Sequence, residues 1–454
     1  MSIIAKVGEA IQALFGKVCG EAAEKSAVIQ RKRKFSSTTL TQTFVMGFLK
    51  DPEASDEDLA QMAAQCGVEV TPQAIDRRHT PRLVEFLQEV AQQCGRITVE
   101  SDRTLAPILK RFPNVSIKDG SSVQLPESMQ EKFAGCGGSY GAGKAALKLQ
   151  TEFELRSGRV TFEIESGRTP DAASPRQHEL SGRGSLHIRD LGYFNLDVFA
   201  KQDAAGEYFL SRLQFGTDVL LRQTAAGVDG LESAVDLGGA ANLMAWLAKQ
   251  DTGFVDRPIF LGKEKRLRCR LIAWRLPQDQ ADRRRQKLRE ECKRKGREPS
   301  ADRLAWCDWT IVVTNVPVDL LTPQEAAVLY RARWQVELLF KRWKSLNLIA
   351  VLTGSTDVRQ MVRLWSRLIA SMVQHWLLLG CVWGDPSKSW TKVCRAIRGF
   401  AGRLAASLNN PLDLERVLSD LRKVFSKTCN RNKRSKPGTM ELLNDPGLLE
   451  FELS

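Results

Sequence analysis

The chain has 454 residues, with 67 Lys and Arg against 53 Asp and Glu, a formal charge of +14 with its four histidines neutral, and 43% hydrophobic residues. That length and apolar content exclude wholesale disorder and predict roughly two to four domains with buried cores. The positive excess points to a polyanionic partner, nucleic acid first and an anionic membrane surface second.

Ten cysteines without a Cys-x-x-Cys pair exclude a disulfide scaffold and read as reduced thiols of a cytosolic protein. The N-terminus places Ile3, Val7, Ile11, Leu14 and Val18 at helical spacing among charges and has no continuous apolar run of a secretion signal. A basic cluster follows, Arg31 to Lys34. Ser55 to Asp58 form a capping box ahead of Leu59, Met62, Ala63 and Cys66, with Gly67 as the stop. Thr71-Pro72 and Thr80-Pro81 each place Thr at the N-cap and Pro at the first helical position. The short helix between them carries Gln73, Arg77 and Arg78. Segment 55–79 therefore reads either as a helix-turn-helix DNA reader or as a helical bundle with a solvated face.

From Val115 the period changes to two. Val115 and Ile117 share a face, and Asp119 ends that face. Leu147 to Leu155 alternate with polar residues, turn at Ser157-Gly158-Arg159, and return through Val160, Phe162 and Ile164, a hairpin. Residues 166–184 read as a surface loop. Leu186 to Asp190 is a third strand, again ending in an aspartate. Residues 222–321 read as a β-rich insertion, with strands at Arg266 to Trp274 and Trp309 to Thr314. Between those strands, nine of the fifteen residues from Arg283 to Arg297 are basic. Such a run suits a solvated helix or loop, or an arm that tracks a phosphate backbone.

Thr322-Pro323-Gln324-Glu325 is a capping box with Pro behind the cap, so a helix is expected through about Lys344. At about 100° per residue, Tyr330, Arg333, Glu337, Lys341 and Lys344 share an arc of about 80°. Leu329, Ala332, Val336, Leu339, Phe340 and Trp343 form the core side, and Arg331, Gln335 and Arg342 the solvent side. The bland account is an amphipathic helix with i,i+4 ion pairs. It leaves unexplained why a tyrosine and an extra lysine join the arc beside Trp334. Asp119, Asp190 and Glu337 taken together, 71 and 147 residues apart, are oxygen donors on two strands and a helix. Each alone suits a turn or cap; as a trio they suit two divalent ions, Mg²⁺ or equally Mn²⁺. The most apolar stretch, Leu364 to Trp383, is broken by Arg367, Gln374 and His375, which favours a buried helix over a membrane span.

The spacing Tyr330-x2-Arg333-x3-Glu337-x6-Lys344 resembles the Y-R-E-K signature of the insertion sequence 4 family of bacterial DDE transposases. Segments 117–126, 189–194 and 208–213 are similar to that family's two aspartate blocks, and the resemblance covers about residues 40–350. It implies an α+β multidomain protein: a helical DNA-binding domain (1–105), a ribonuclease-H-like core in two parts (106–221 and 322–390), the β-rich insertion (222–321), and a helical C-terminal region (391–454) that contributes to dimer contacts. It implies that Asp119, Asp190 and Glu337 are catalytic ligands of two Mg²⁺ ions, and that Tyr330, Arg333, Lys341 and Lys344 contact phosphates of the transposon end. Trp309 would stack on a base flipped out of the duplex, or else fill the insertion's own core. Arg212 would order the site or touch phosphate.

None of the histidines falls in the quoted blocks, and two-metal hydrolysis needs no histidine base. The expected activity is cut-and-paste transposition: a homodimer binds terminal inverted repeats, cleaves them by way of a hairpin, and joins the 3′ ends to target DNA. The protein would work in the bacterial cytoplasm at the nucleoid, away from membranes. Two rivals remain: a ribonuclease-H-fold nuclease without strand transfer, and a DNA-binding regulator that uses only the N-terminal helices. Residues 1–40 and 391–454 carry no motif, although Leu412 to Phe425 is amphipathic and Lys427, Arg431, Lys433, Arg434 and Lys436 follow it.

Overall fold

The N-terminal helices begin where the sequence supplies a cap. Ser36, Ser55, Thr71 and Thr80 each accept a backbone N–H at the start of helices Ser37–Lys50, Asp56–Gln65, Pro72–Asp76 and Pro81–Cys94. Gly67, at φ 81°, follows the second of them. The computed structural model describes residues 2–29, 34–136, 143–224, 232–432 and 437–449. Arg31, Lys32, Arg33, Lys433, Arg434 and Lys436 lie outside the described residues.

By its contacts the chain forms two units. The first holds Met1–Ala106, Asp119–Pro170 and Trp334–Ser435; the second holds Pro107–Lys118, Asp171–Arg333 and Lys436–Ser454. This grouping departs from the five-segment division expected above. Residues 1–105 share a unit with parts of the core, and the C-terminal region divides near Lys436. The chain passes between the units after Ala106, after Lys118 inside strand β1 (Val115–Leu125), after Pro170, after Arg333 and after Ser435.

In the first unit, helices Ile3–Ala13, Ser37–Lys50, Pro81–Cys94 and Pro411–Lys427 pack on the 26-residue helix Asp357–Val382. That helix is buried along most of its length. The polar residues that interrupt its apolar run hydrogen-bond within the unit, although the Arg367 Nη2 has no partner among the described residues. Arg367 donates to the carbonyls of Pro52 (2.7 Å), Leu348 (3.0 Å) and Val351 (2.6 Å), and Gln374 to that of Cys394 (2.7 Å). Among the described residues no helix is long and apolar enough to cross a membrane. Strands β2 (Ala145–Glu154) and β3 (Val160–Ser166) form the expected hairpin, with Phe153 opposite Val160, and the order here is β3-β2-β1. Gly158 turns it at φ 79°, where a Cβ would sit 2.4 Å from Leu379.

The second unit is a mixed sheet, ordered β1-β4-β5-β10-β9-β8-β6-β7. Its strands are β4 (Leu186–Arg189), β5 (Tyr208–Arg212), β6 (Val219–Thr224), β7 (Glu232–Asp236), β8 (Phe254–Leu261), β9 (Leu267–Arg275) and β10 (Trp309–Thr314). β1, β4 and β5 run parallel, and every later pairing is antiparallel. The β-rich segment 222–321 is therefore an extension of the core sheet, joined where Val312 pairs with Arg212 and Thr314 with Leu210. Its basic run forms helix Gln278–Arg294. Phe199 stacks on Phe209 (4.4 Å between centroids) within an apolar core that includes Ile259, Leu271 and Val313. All ten cysteines are free thiols. The whole is a mixed α+β protein.

Candidate functional site

Val115 and Ile117, fully buried, pair in parallel with Leu186 and Ile188. Two residues beyond the Ile117–Ile188 pair, each strand reaches an aspartate. Asp119 does not end its strand, as the alternation suggested; β1 continues to Leu125 through the small residues Gly120, Ser121 and Ser122. Its Oδ1 accepts the Gly120 N–H at 2.8 Å. Asp190 follows β4 directly and opens a 3-10 turn, yet makes no capping bond. The ordinary role of an acid at a strand end is thus unfilled there. Its carboxylate, 41% exposed, lies 3.6 Å from the Arg333 Nε.

Arg333 is also where the expected single helix divides, into Pro323–Ala332 and Trp334–Ser345. The cap is as predicted: Thr322 and Glu325 form the capping box, and Arg111 holds Glu325 through two 2.7 Å hydrogen bonds. Before the break, the half-buried Tyr330 hydroxyl makes no hydrogen bond among the described residues. Burial, reinforced by the Asp190 charge, pushes its ionisation up to about 12, against the pull of Arg333 and Arg212. At neutral pH it is therefore a proton donor awaiting an acceptor. Arg212 ends β5, so Tyr330, Arg333, Arg212 and Asp190 form one cluster in the second unit.

After the break, Glu337 is half-buried, Lys341 exposed and Lys344 half-buried, with its Nζ 3.1 Å from the Ser122 carbonyl. Burial lowers the Lys344 pKa. The expected solvent side fails here. Arg331 is exposed, but Gln335 and Arg342 are buried, Arg342 under the Trp390 ring, 5.4 Å from its centroid. Trp334 is 52% exposed.

Trp309 is corrected towards its core-filling role. It is 4% exposed, sits in the sheet's apolar cluster, and is covered by Arg275 at 5.5 Å. Gln73 and Arg77 are exposed on and beside the five-residue helix Pro72–Asp76, while Arg78 stacks over Phe35 at 5.4 Å.

The sequence reading missed one polar group beneath β4. Fully buried His187 donates from Nε2 to Glu207 (2.7 Å) and accepts at Nδ1 from the Ser116 hydroxyl (2.9 Å). Glu207 also accepts the Ser181 and Gly182 N–H groups at 2.5 Å each. Burial pushes His187 down to about 4, only partly opposed by Glu207. His187 is therefore a neutral strut three residues before Asp190, with no exposure that would let it serve as a base. Its signal in the sequence is a histidine between Leu186 and Ile188 in a strand.

Asp119 and Glu337 belong to the first unit and Asp190 to the second. Among the described residues no three His, Cys, Asp or Glu side chains are grouped as a metal site. The donor chemistry nonetheless fits a hard divalent cation, being oxygen alone.

Residues 110–373 match the transposase DDE domain, and the chain belongs to that family. It is 28% identical over 364 residues to the transposase for insertion sequence element IS231B of Bacillus thuringiensis subsp. berliner, covering 78% of this chain and 75% of that protein. It is likewise 28% identical over 370 residues to the transposase for insertion sequence element IS1151 of Clostridium perfringens, covering 77% and 76%.

Proposed function

We propose that the protein is a cut-and-paste transposase of the insertion sequence 4 type, acting in the cytoplasm on the ends of its own element. The observation that carries this reading is the Asp190–Arg333 pair at 3.6 Å beside the Tyr330 hydroxyl, inside the family-matched segment. Asp119, Asp190 and Glu337 would hold divalent metal, Mg²⁺ or Mn²⁺, two ions per site. When bound, the metal supplies charge neutralisation at the scissile phosphate and a water that ionises near neutral pH.

The chain's own residues do the rest. Arg333 lies against the Asp190 carboxylate, and its planar guanidinium matches the geometry of a phosphate. Tyr330 donates its hydroxyl proton to a phosphate oxygen, while Lys341 and Lys344 neutralise the backbone on the Glu337 side. Arg212 adds charge beside Tyr330. Gln73, Arg77 and Arg78 read or hold the terminal inverted repeats, and a homodimer brings two ends together. The 3′ hydroxyl freed by the first cut attacks the opposite strand to give a hairpin, which a second hydrolysis opens before joining to target DNA.

Incubation of the protein with a labelled duplex ending in its element's inverted repeat, with Mg²⁺ or EDTA, tests this on a denaturing gel. A metal-dependent nick followed by a species of doubled length supports the full reading. Cleavage without hairpin or joining favours a nuclease, and binding without cleavage a DNA-binding regulator.

A further inference from the structure

Helix Gln278–Arg294 has no part in the site described above, yet it is the most basic segment of the chain. Its inner face is fixed to the sheet. Ala281 and Cys292 are buried, Arg284 donates to the Trp309 carbonyl and the Thr310 hydroxyl, both at 3.1 Å, and Arg285 pairs with Asp282 and Asp308. With Ala281 at 0° and about 100° per residue, Arg283, Lys287 and Arg294 lie at about 200–240° and Arg289 and Lys293 at about 80–120°. All five are exposed.

Two nearby cations are spent on helix neighbours: Arg283 is 3.4 Å from Asp279, and Lys295 is 2.6 Å from Glu291. Among the described residues no carboxylate lies within ion-pair distance of Lys287, Arg289, Lys293 or Arg294. Arg289 and Lys293 stand four apart, where like charges destabilise a helix. Exposed Glu290 falls at about 180° on this arc and accepts from Gln286 at 3.0 Å, yet four cations on this rigid mount stay outside ion-pair distance of a carboxylate among the described residues. From Lys287 to Arg294 the helix rises about 10 Å, about three nucleotide steps of one DNA strand.

The mount also points towards the site. Strand β10, which holds Arg284, pairs with β5 at Val312 and Arg212. Arg284 is held below its usual range first by burial and then by the Arg212 charge, and Arg212 bears on Tyr330 as well. Cations thus run from the base of the helix to the Asp190–Arg333 pair within one unit.

We propose that the outer face of helix Gln278–Arg294 grips the phosphate backbone of the duplex whose end lies at Asp190, through Lys287, Arg289, Lys293 and Arg294. This contact rests on the transposase reading for its partner and reads no sequence, because it reaches only phosphates. Neutralising phosphate contacts shows as a salt dependence of binding, about 0.9 in the log–log slope for each contact.

The test is fluorescence anisotropy over a salt series, using the full chain with a duplex of unrelated sequence and with the inverted-repeat duplex. The variant K287Q/R289Q/K293Q/R294Q should lower the slope by about 3.6 on both duplexes and leave their affinity ratio unchanged. R289K/R294K should keep the wild-type slope, and unchanged circular dichroism and melting should show that the glutamine variant folds. An unchanged slope in a wild-type protein that cleaves the repeat overturns the helix contact and spares the transposase reading. A lowered slope in a protein that never cleaves any duplex keeps the contact and sinks that reading.

Discussion

The Arg333 Nε lies 3.6 Å from the Asp190 carboxylate, and the Arg333 side chain is only 16% exposed. Arg333 is also the residue at which the signature helix divides. A guanidinium at that position is placed by the backbone, and its planar fork suits a phosphate.

Arg333→Ala should therefore lower end cleavage by about a hundredfold or more, the scale of removing one electrostatic clamp. Binding of the inverted-repeat duplex should fall by only a few fold. Arg333→Lys keeps the charge but loses the planar fork, so it should recover little activity. Single-turnover cleavage and gel-shift binding check both, and a lysine variant near wild-type rate would remove the fork from the mechanism.

Glu337→Gln, Asp119→Asn and Asp190→Asn should each abolish cleavage while the protein still folds and still shifts the duplex. The three substitutions keep shape and remove only the charge a metal ligand needs. Isothermal titration with Mn²⁺ supplies a readout apart from turnover: heat of binding in the wild type, reduced in each variant. Mn²⁺ binding unaffected by all three would sink the ligand assignment.

Stability should fall as the medium is acidified from pH 7 towards 4. His187 and His375, both buried, are pushed from 6.5 to about 4 in the folded chain. A folded pKa below the unfolded one means the unfolded chain takes up protons first. Stability is therefore full above about 6.5 and is lost as pH falls towards about 4. Each histidine contributes about 3 kcal/mol to that loss. Glu207, whose burial is outweighed by His187 and the loop N–H groups, is held below its usual range and extends the loss to lower pH. Urea unfolding at stepped pH should show this slope, reduced in His375→Gln. A flat profile would contradict the burial of both rings.

The parts of this architecture legible in the sequence are those set by neighbours. Ser55, Thr71, Thr80 and Thr322 announce their helices because a cap acts over three residues. The alternation of Val115, Ile117, Leu186 and Ile188 announces two strands each reaching an aspartate. What stayed hidden depends on distant residues. The Val312–Arg212 pairing that fuses segment 222–321 with the core sheet spans about a hundred residues and leaves no local mark. The break at Arg333 has no Pro or Gly to signal it. Arg342 reads as solvent-facing from the wheel, and is buried because Trp390 and its helix arrive later in the chain. His187 needed Glu207, twenty residues on, to be recognised as a strut.

Two tryptophans near the site should behave oppositely. Trp309, 4% exposed among Leu271, Ile311 and Val313, is a core residue, so Trp309→Ala should cost about 3–5 kcal/mol of stability through the cavity it leaves. Any loss of hairpin product would then follow unfolding and return at lower temperature. Trp334 is 52% exposed at the head of the helix that carries Glu337, so Trp334→Ala should change stability by less than about 0.5 kcal/mol. Its ring is nevertheless the one free to stack on an unpaired base, which is worth about 1–3 kcal/mol. Trp334→Ala should therefore slow the step that produces the doubled-length strand more than the first nick, with Trp334→Phe intermediate. Melting curves and a denaturing gel on a pre-nicked end separate the two residues. A stable Trp309→Ala protein that nicks but forms no hairpin would return the stacking role to Trp309.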